Sequence, residues 1–275
     1  MDAATRSCQF CGAKGNLTRE DIIPIWASEH LKKLGHPRRV RISTRQVYPD
    51  GDKEFVKRWM SGSYSAFVVK TVCEDCNNGW MSNIEAGAAV SIKRMMGKGR
   101  VGLSMDDQMK IARWLTLKLY TFDRMTLSFP SPVALVSDEE MREFWKTATP
   151  PREFYARLSF LDNVGDHAVT FEKVPTVTDA NYPYNPPGAT PARTEFRLSL
   201  GCVLFQCYFA NKANPEKDLP LIDLEAQPYW TIIWPARKGQ NWPPPLHINF
   251  NELPVVQADH WWRDDLLPEH RSGIQ

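Results

Sequence analysis

Two periods run along this chain. Apolar residues recur at helical spacing in the first half, then alternate with polar ones after Pro150-Pro151. Ile25, Trp26 and Leu31 predict an apolar stripe on a helix to about Leu34, with Pro24 in its first turn and Gly35-His36-Pro37 as its stop. A second helix is expected from Asn77 through Ser82, Glu85 and Val90 to Gly97 or Gly99. Ser104-Met105-Asp106-Asp107 has the form of a capping box with Asp in place of Glu. It opens a substantially apolar helix carrying Met109, Ala112, Trp114, Leu115 and Leu119. Ser137-Asp138-Glu139-Glu140 is a clearer box for a short helix through Trp145.

Strands are expected at Tyr155–Phe160, His167–Lys173, Glu195–Phe209 and Tyr229–Trp234, with prolines making 181–193 and Trp242-Pro243-Pro244-Pro245 into loops. Earlier, Arg38 to Val47 alternates basic or polar with apolar residues, a half-buried strand with a cationic outer face, and Phe67-Val68-Val69 reads as a short strand. No internal repeat is visible. The pattern is α+β, with a largely antiparallel sheet in the C-terminal part.

Composition narrows the class. A 43% apolar share and 10 tryptophans support a substantial core, and no run of 18 apolar residues suggests a membrane span. No apolar stretch follows Met1-Asp2-Ala3-Ala4-Thr5-Arg6, so a secretory signal is not expected. Net charge is only +2, but its distribution is uneven. Residues 1–100 hold 17 Lys and Arg against 10 Asp and Glu, and the remainder holds 17 against 22. A basic N-terminal part suits phosphate contact; the acidic remainder suits a basic protein partner. Ordinary fluctuation over a solvated surface gives the same numbers.

Four of the six cysteines fall into two pairs, Cys8-Gln9-Phe10-Cys11 and Cys73-Glu74-Asp75-Cys76. Two residues between cysteines let one turn aim both sulfurs at one ion, and four thiolates make a closed tetrahedral zinc site. Paired Cys-x-x-Cys motifs without a signal peptide fit a reducing cytosol and metal binding better than disulfides. Cys202 and Cys207 lie in an apolar run as expected of buried free thiols. Between the pairs stands Glu20-Asp21 before Ile22-Ile23-Pro24, and directly after the second pair comes Asn77.

Pair, acidic doublet, pair and asparagine, in that order, resemble the zinc-stapled HNH (ββα-metal) endonuclease superfamily. The string Cys76-Asn77-Asn78-Gly79-Trp80-Met81-Ser82-Asn83-Ile84-Glu85 is similar to a bacterial and phage branch of it; Trp234-Pro235 and Trp242-Pro243-Pro244 resemble that branch more loosely. The specific motifs cover about residues 8–90. The resemblance implies an HNH-like domain over 1–100 and an α+β accessory domain over 101–275 for target or partner recognition. It implies structural zinc on Cys8, Cys11, Cys73 and Cys76, and magnesium or manganese on Glu20 and Asn77 for phosphodiester hydrolysis in DNA. Arg38, Arg39, Arg41, Arg45, Lys57 and Arg58 would face the nucleic acid, or else form a solubilising strand face.

One departure bears on activity. Asp21 stands where the family carries histidine as general base, and an ordinary carboxylate is a much weaker base than imidazole. His30 lies too far along its helix to substitute, and His36 would have to fold back. Glu20-Asp21 therefore reads as ligand and surrogate base, as two metal ligands, as the relic of a silent binding module, or as an acidic pair favoured by a helix dipole. Asn77 also suits an N-cap. Glu85 is equally an outer-shell carboxylate or a surface residue, and Trp80 and Met81 suit the core.

Overall fold

The computed structural model describes residues 7–36, 40–44, 58–62, 67–126, 136–151, 154–164, 169–176, 193–210, 229–236 and 238–249. Chain order is β1 (Leu17–Asp21), α1 (Ile25–Lys33), β2 (Val40–Thr44), β3 (Arg58–Gly62), β4 (Val68–Cys73), a short α2 (Glu74–Cys76) and a wide turn over Asn77–Met81. It continues with α3 (Ser82–Met96), β5 (Val101–Leu103), α4 (Met105–Thr126), α5 (Asp138–Thr147), β6 (Phe154–Asp162) and β7 (Val169–Thr176). The last elements are β8 (Arg193–Leu200), β9 (Val203–Ala210), β10 (Thr231–Trp234), β11 (Gln240–Trp242) and β12 (Ile248–Asn249).

Helix α4 is the centre around which the rest packs. At 22 residues it is about 33 Å long. Ile111, Ala112, Trp114, Leu115, Leu117, Leu119, Tyr120 and Phe122 are all buried, as are the polar Gln108, Thr116, Lys118, Thr121 and Asp123. A helix apolar on one stripe would leave its polar residues in water; burial all round means that neighbours cover every side. On one side lie α3 and β4, and on another the large sheet, reached through Trp114 against Phe205 and Phe122 against Phe196. Both sequence-predicted caps form. Asp107 N–H donates to Ser104 Oγ at 3.1 Å and Ser104 N–H to Asp107 Oδ2 at 3.0 Å, so Asp replaces Glu in the box without loss of either bond. Ser137 and Glu140 make the same exchange at the start of α5.

The sheet runs in the order β10-β6-β9-β8-β7-β2-β3, with β12 parallel to β6 at its far end. Apart from that pair and the parallel β2–β7 pair, its strands are antiparallel, in line with the largely antiparallel expectation. Strands from residues 40–62 thus extend the sheet built by the C-terminal part. One cluster of buried side chains runs from Cys8 to Trp242, across residue 100.

Several local expectations are corrected. Glu195–Phe209 is two strands, because Gly201 at φ +58° turns the chain into an antiparallel hairpin of β8 and β9. Pro24 sits at the N-cap of α1, not in its first turn, and Ile25 faces solvent, so Ala27 and Leu31 carry the buried side of that helix. Glu20-Asp21 ends strand β1 and does not flank a helix start. The loop expected over 181–193 lies outside the described residues except for Arg193, which opens β8.

The C-terminal end of α3 is tied down from three distant segments. Carbonyls of the last helical turn have no partner in the helix itself. His30 Nε2 lies 3.2 Å from the Lys93 carbonyl, Trp242 Nε1 donates to that of Met95 at 3.2 Å, and the Cys202 thiol reaches Met96's at 3.5 Å. Burial pushes His30 below its ordinary value, so the ring is neutral near pH 7. Neither His30 nor His36 turns toward Asp21: His36 packs beside Gly201 at the β8–β9 turn.

Candidate metal centre and acidic cluster

The cysteine pairs meet through an antiparallel ladder. Strand β1 pairs with β4 in the register Leu17↔Cys73, Thr18↔Val72, Glu20↔Val69 and Asp21↔Val68. A bulge between these pairs sets two β4 residues opposite Arg19, and Thr71, inside it, gives its carbonyl to the Gln9 N–H at 2.9 Å. That bond lays the first knuckle against the second. The knuckle itself is closed by Gly12 N–H on the Cys8 carbonyl and by Cys8 N–H on Ala13's, with Gly12 at φ +76°.

All four sulfurs of Cys8, Cys11, Cys73 and Cys76 lie within 4.8 Å of one another, and Cys11 Sγ is 3.6 Å from Cys73 Sγ. In a tetrahedron with metal–sulfur bonds of about 2.3 Å, sulfurs stand about 3.8 Å apart. The set therefore fits one metal ion. Ala13 N–H donates to Cys11 Sγ at 3.4 Å, an outer contact that orients a thiolate. Burial pushes the Cys76 thiol well above its ordinary range. Burial also opposes ionisation of Cys8, but backbone hydrogen bonds from Cys73, Cys11 and Phe10 outweigh it and leave that thiol lowered. Four thiolates so close repel one another, and a bound dication is the natural compensation.

Beside this centre the structure gathers the sequence-predicted acidic residues. The helix opens at Glu74, with Cys73 at its N-cap, so Asn77 is not the cap; its backbone is already helical and its side chain turns back to β1. Asn77 Nδ2 donates to Thr18 Oγ1 at 3.1 Å and to the Arg19 carbonyl at 3.0 Å. A carbonyl only accepts, so the atom facing β1 is the amide nitrogen, and Oδ1 has no partner among the described residues. The chain widens here into a π-type turn, with non-helical angles at Gly79. Trp80 is half-buried between Phe10 and Phe144, at 5.0 and 5.7 Å, and Met81 is buried; both belong to the core.

Glu20 is buried and its Oε1 accepts from Lys118 Nζ at 2.7 Å. The same ammonium donates to the Asp21 carbonyl at 2.9 Å and is ion-paired with Glu85 Oε1. Three oxygens thus surround an ammonium that is 0% exposed. Glu85 is neither a surface residue nor free: it lies on α3, pointed at α4. Burial pushes its carboxyl up, against the pull of Lys118. Burial opposes the charge on Lys118 as well, but Glu85 and Glu20 outweigh it and hold the lysine protonated. Asp21 is half-buried, and burial together with the Glu20 charge raises its carboxyl above the ordinary value.

Sequence reasoning did not single out Lys118 or Thr18. The signal for Lys118 was present, since a lone cation between Leu117 and Leu119 in an apolar helix needs a buried partner. Of the residues expected to face nucleic acid, Arg38, Arg39, Arg45 and Lys57 lie outside the described residues. Arg41 and Arg58 are placed on the adjacent antiparallel strands β2 and β3, near the edge of the sheet. Among the described residues no helix is long and apolar enough to cross a membrane. No protein-family model, curated protein or solved structure matches this chain.

Proposed function

We propose that residues 8–96 form a zinc-stapled HNH-type module for metal-dependent phosphodiester hydrolysis in DNA. The observation that carries this reading is the antiparallel β1–β4 pair running into a helix whose Asn77 is bonded back to the strand bearing Glu20-Asp21. The cysteine tetrad would hold zinc with no open position, so its part is to fix that arrangement. Glu20 and Asn77 Oδ1 supply the oxygen donors that magnesium or manganese takes, and the cation would stabilise charge on a scissile phosphate. Asp21 is the surrogate base for water. An ordinary carboxylate is a much weaker base than imidazole, so turnover is slow. The basic strands of the N-terminal part are the proposed DNA-facing surface.

A second reading draws on Lys118. Its ammonium already takes one oxygen of Glu20, and Asp21 replaces histidine, which together favour a silent scaffold whose work is binding. Its partner would be nucleic acid or, through the acidic C-terminal part, a basic surface of a protein complex in the manner of a phage or mobile-element factor.

Plasmid cleavage in magnesium or manganese separates the two. Wild type cutting, with Asp21→Ala and Asn77→Ala at least tenfold slower, supports hydrolysis. A silent wild type whose Asp21→His variant cuts supports the scaffold. A wild type whose cutting is indifferent to all three substitutions sinks the proposed site.

A further inference from the structure

Lys118 lies on α4, outside the 8–90 stretch that carries the motifs, yet it bonds to both residues of the acidic doublet. Its side chain is fully buried; it donates to Glu20 Oε1 and the Asp21 carbonyl and is ion-paired with Glu85. Such an ammonium cannot reach a substrate phosphate, so any role it has passes through the groups it holds. What it holds is specific. Glu20 is one carboxylate with two oxygens, and Lys118 takes one. The other, Oε2, has no partner among the described residues.

Charge points the same way. Two carboxylates, Glu20 and Glu85, share the single ammonium of Lys118, and Asp21 adds a third acid at the same end of β1. A buried ion pair that served only to join α4 to β1 would need one carboxylate per ammonium. Here two carboxylates share one ammonium, one more than joining α4 to β1 requires. Glu85, in the first turn of α3, holds the same ammonium that is bonded to Glu20 and to the Asp21 carbonyl at the end of β1.

We infer that Lys118 is the positioning residue of the acidic doublet: it pins Glu20 by Oε1 and Asp21 by its carbonyl, so that Glu20 Oε2 is the oxygen presented to a divalent cation. The inference rests on the proposed use of Glu20 as a cation ligand. It adds that the site is completed by α4, beyond residue 100, and that residues 1–100 alone lack a positioned ligand.

The test uses the full-length, zinc-loaded protein and Mn2+ alone as probe. The double variant Lys118→Met/Glu85→Gln removes the anchor but conserves the charge of the triad, so a purely electrostatic or structural role leaves Mn2+ affinity unchanged. Paramagnetic titration is expected to show affinity at least tenfold weaker than wild type, with zinc content and circular dichroism retained, while Glu85→Gln alone stays within about fivefold. A measurement on wild type stands if the double variant does not fold. The Lys118 ammonium, shielded from exchange by burial, gives a 15Nζ resonance that stoichiometric Mn2+ broadens and Mg2+ leaves sharp.

Double-variant affinity within threefold of wild type overturns the inference, and so does an unbroadened Lys118 resonance or a wild type that binds no Mn2+. Plasmid cleavage separates this from the proposed hydrolysis. Cutting by a wild type whose Mn2+ affinity ignores Lys118 leaves hydrolysis standing and removes the positioning role. Lys118-dependent Mn2+ binding by a protein that never cuts does the reverse.

Discussion

Replacing Lys118 by Met alone strands two carboxylates around an apolar side chain. The ammonium it removes is 0% exposed, while the side chains of Glu20 and Glu85 are 9% and 21% exposed. Two adjacent, nearly dry carboxylates do not both stay ionised; one takes up a proton. Protonating a group of ordinary value near 4.3 at pH 7 costs about 1.4 kcal/mol per pH unit, or about 3.7 kcal/mol in all. That falls within the roughly 3 to 5 kcal/mol found for breaking buried ion pairs. The sign with pH follows from the same step. The stranded carboxyl has a folded value raised above its unfolded one, so the penalty is absent below about pH 4.3 and grows as pH rises toward the folded value. At pH 5.5 it should be about 1.6 kcal/mol. Urea unfolding followed by tryptophan fluorescence, with wild type and variant compared at pH 5.5 and 7, measures both. A deficit under about 1 kcal/mol at pH 7, or one equal at the two pH values, would refute the idea that Lys118 is the charge on which both carboxylates depend.

Three further outcomes are expected. One zinc per chain should co-purify, and Cys76→Ser or Cys73→Ser should lose it together with the fold of the N-terminal region, read by atomic absorption and limited proteolysis; a folded, zinc-free variant would contradict the tetrad. Ser137→Ala opens the capping box of α5 and should cost about 1 kcal/mol in urea unfolding, whereas an effect below about 0.3 would mean the helix end is held by packing alone. Gly201→Ala should cost about 1 to 2 kcal/mol, because the residue sits at φ +58° and the new methyl would stand 3.4 Å from His36 Nε2 and 3.5 Å from Leu31 Cδ2; an unchanged thermal midpoint would show that the hairpin turn relaxes freely.

Some of this protein is written locally. The caps at Ser104 and Ser137 are legible because a side chain and the backbone three residues away settle them without outside help, and the structure forms both. The cysteine tetrad is legible for a similar reason: spacing of two fixes each knuckle, and the number four fixes the kind of centre. Short apolar-rich runs bounded by turn residues identify the C-terminal strands, even though β6, β8 and β9 are buried on both faces along most of their described length. What such a run cannot show is where a strand reverses, so β8 and β9 read as one until Gly201 is seen at positive φ.

Other features exist only in three dimensions. The strand of Glu20-Asp21 is short and weakly patterned, and it is a strand because β4, fifty residues on, pairs with it. Asn77 looks like a cap by composition, yet the helix has already begun and its amide serves β1. Glu85 has the sequence of a surface residue, and Lys118 that of a misplaced charge. Their meaning appears only when α3 and α4 bring them to Glu20, since a charge in a dry interior is tolerable only beside its opposite. Sequence alone determined the local hydrogen bonds and the donor set of the metal centre; which acid faces which base was decided by the packing of segments nearly a hundred residues apart.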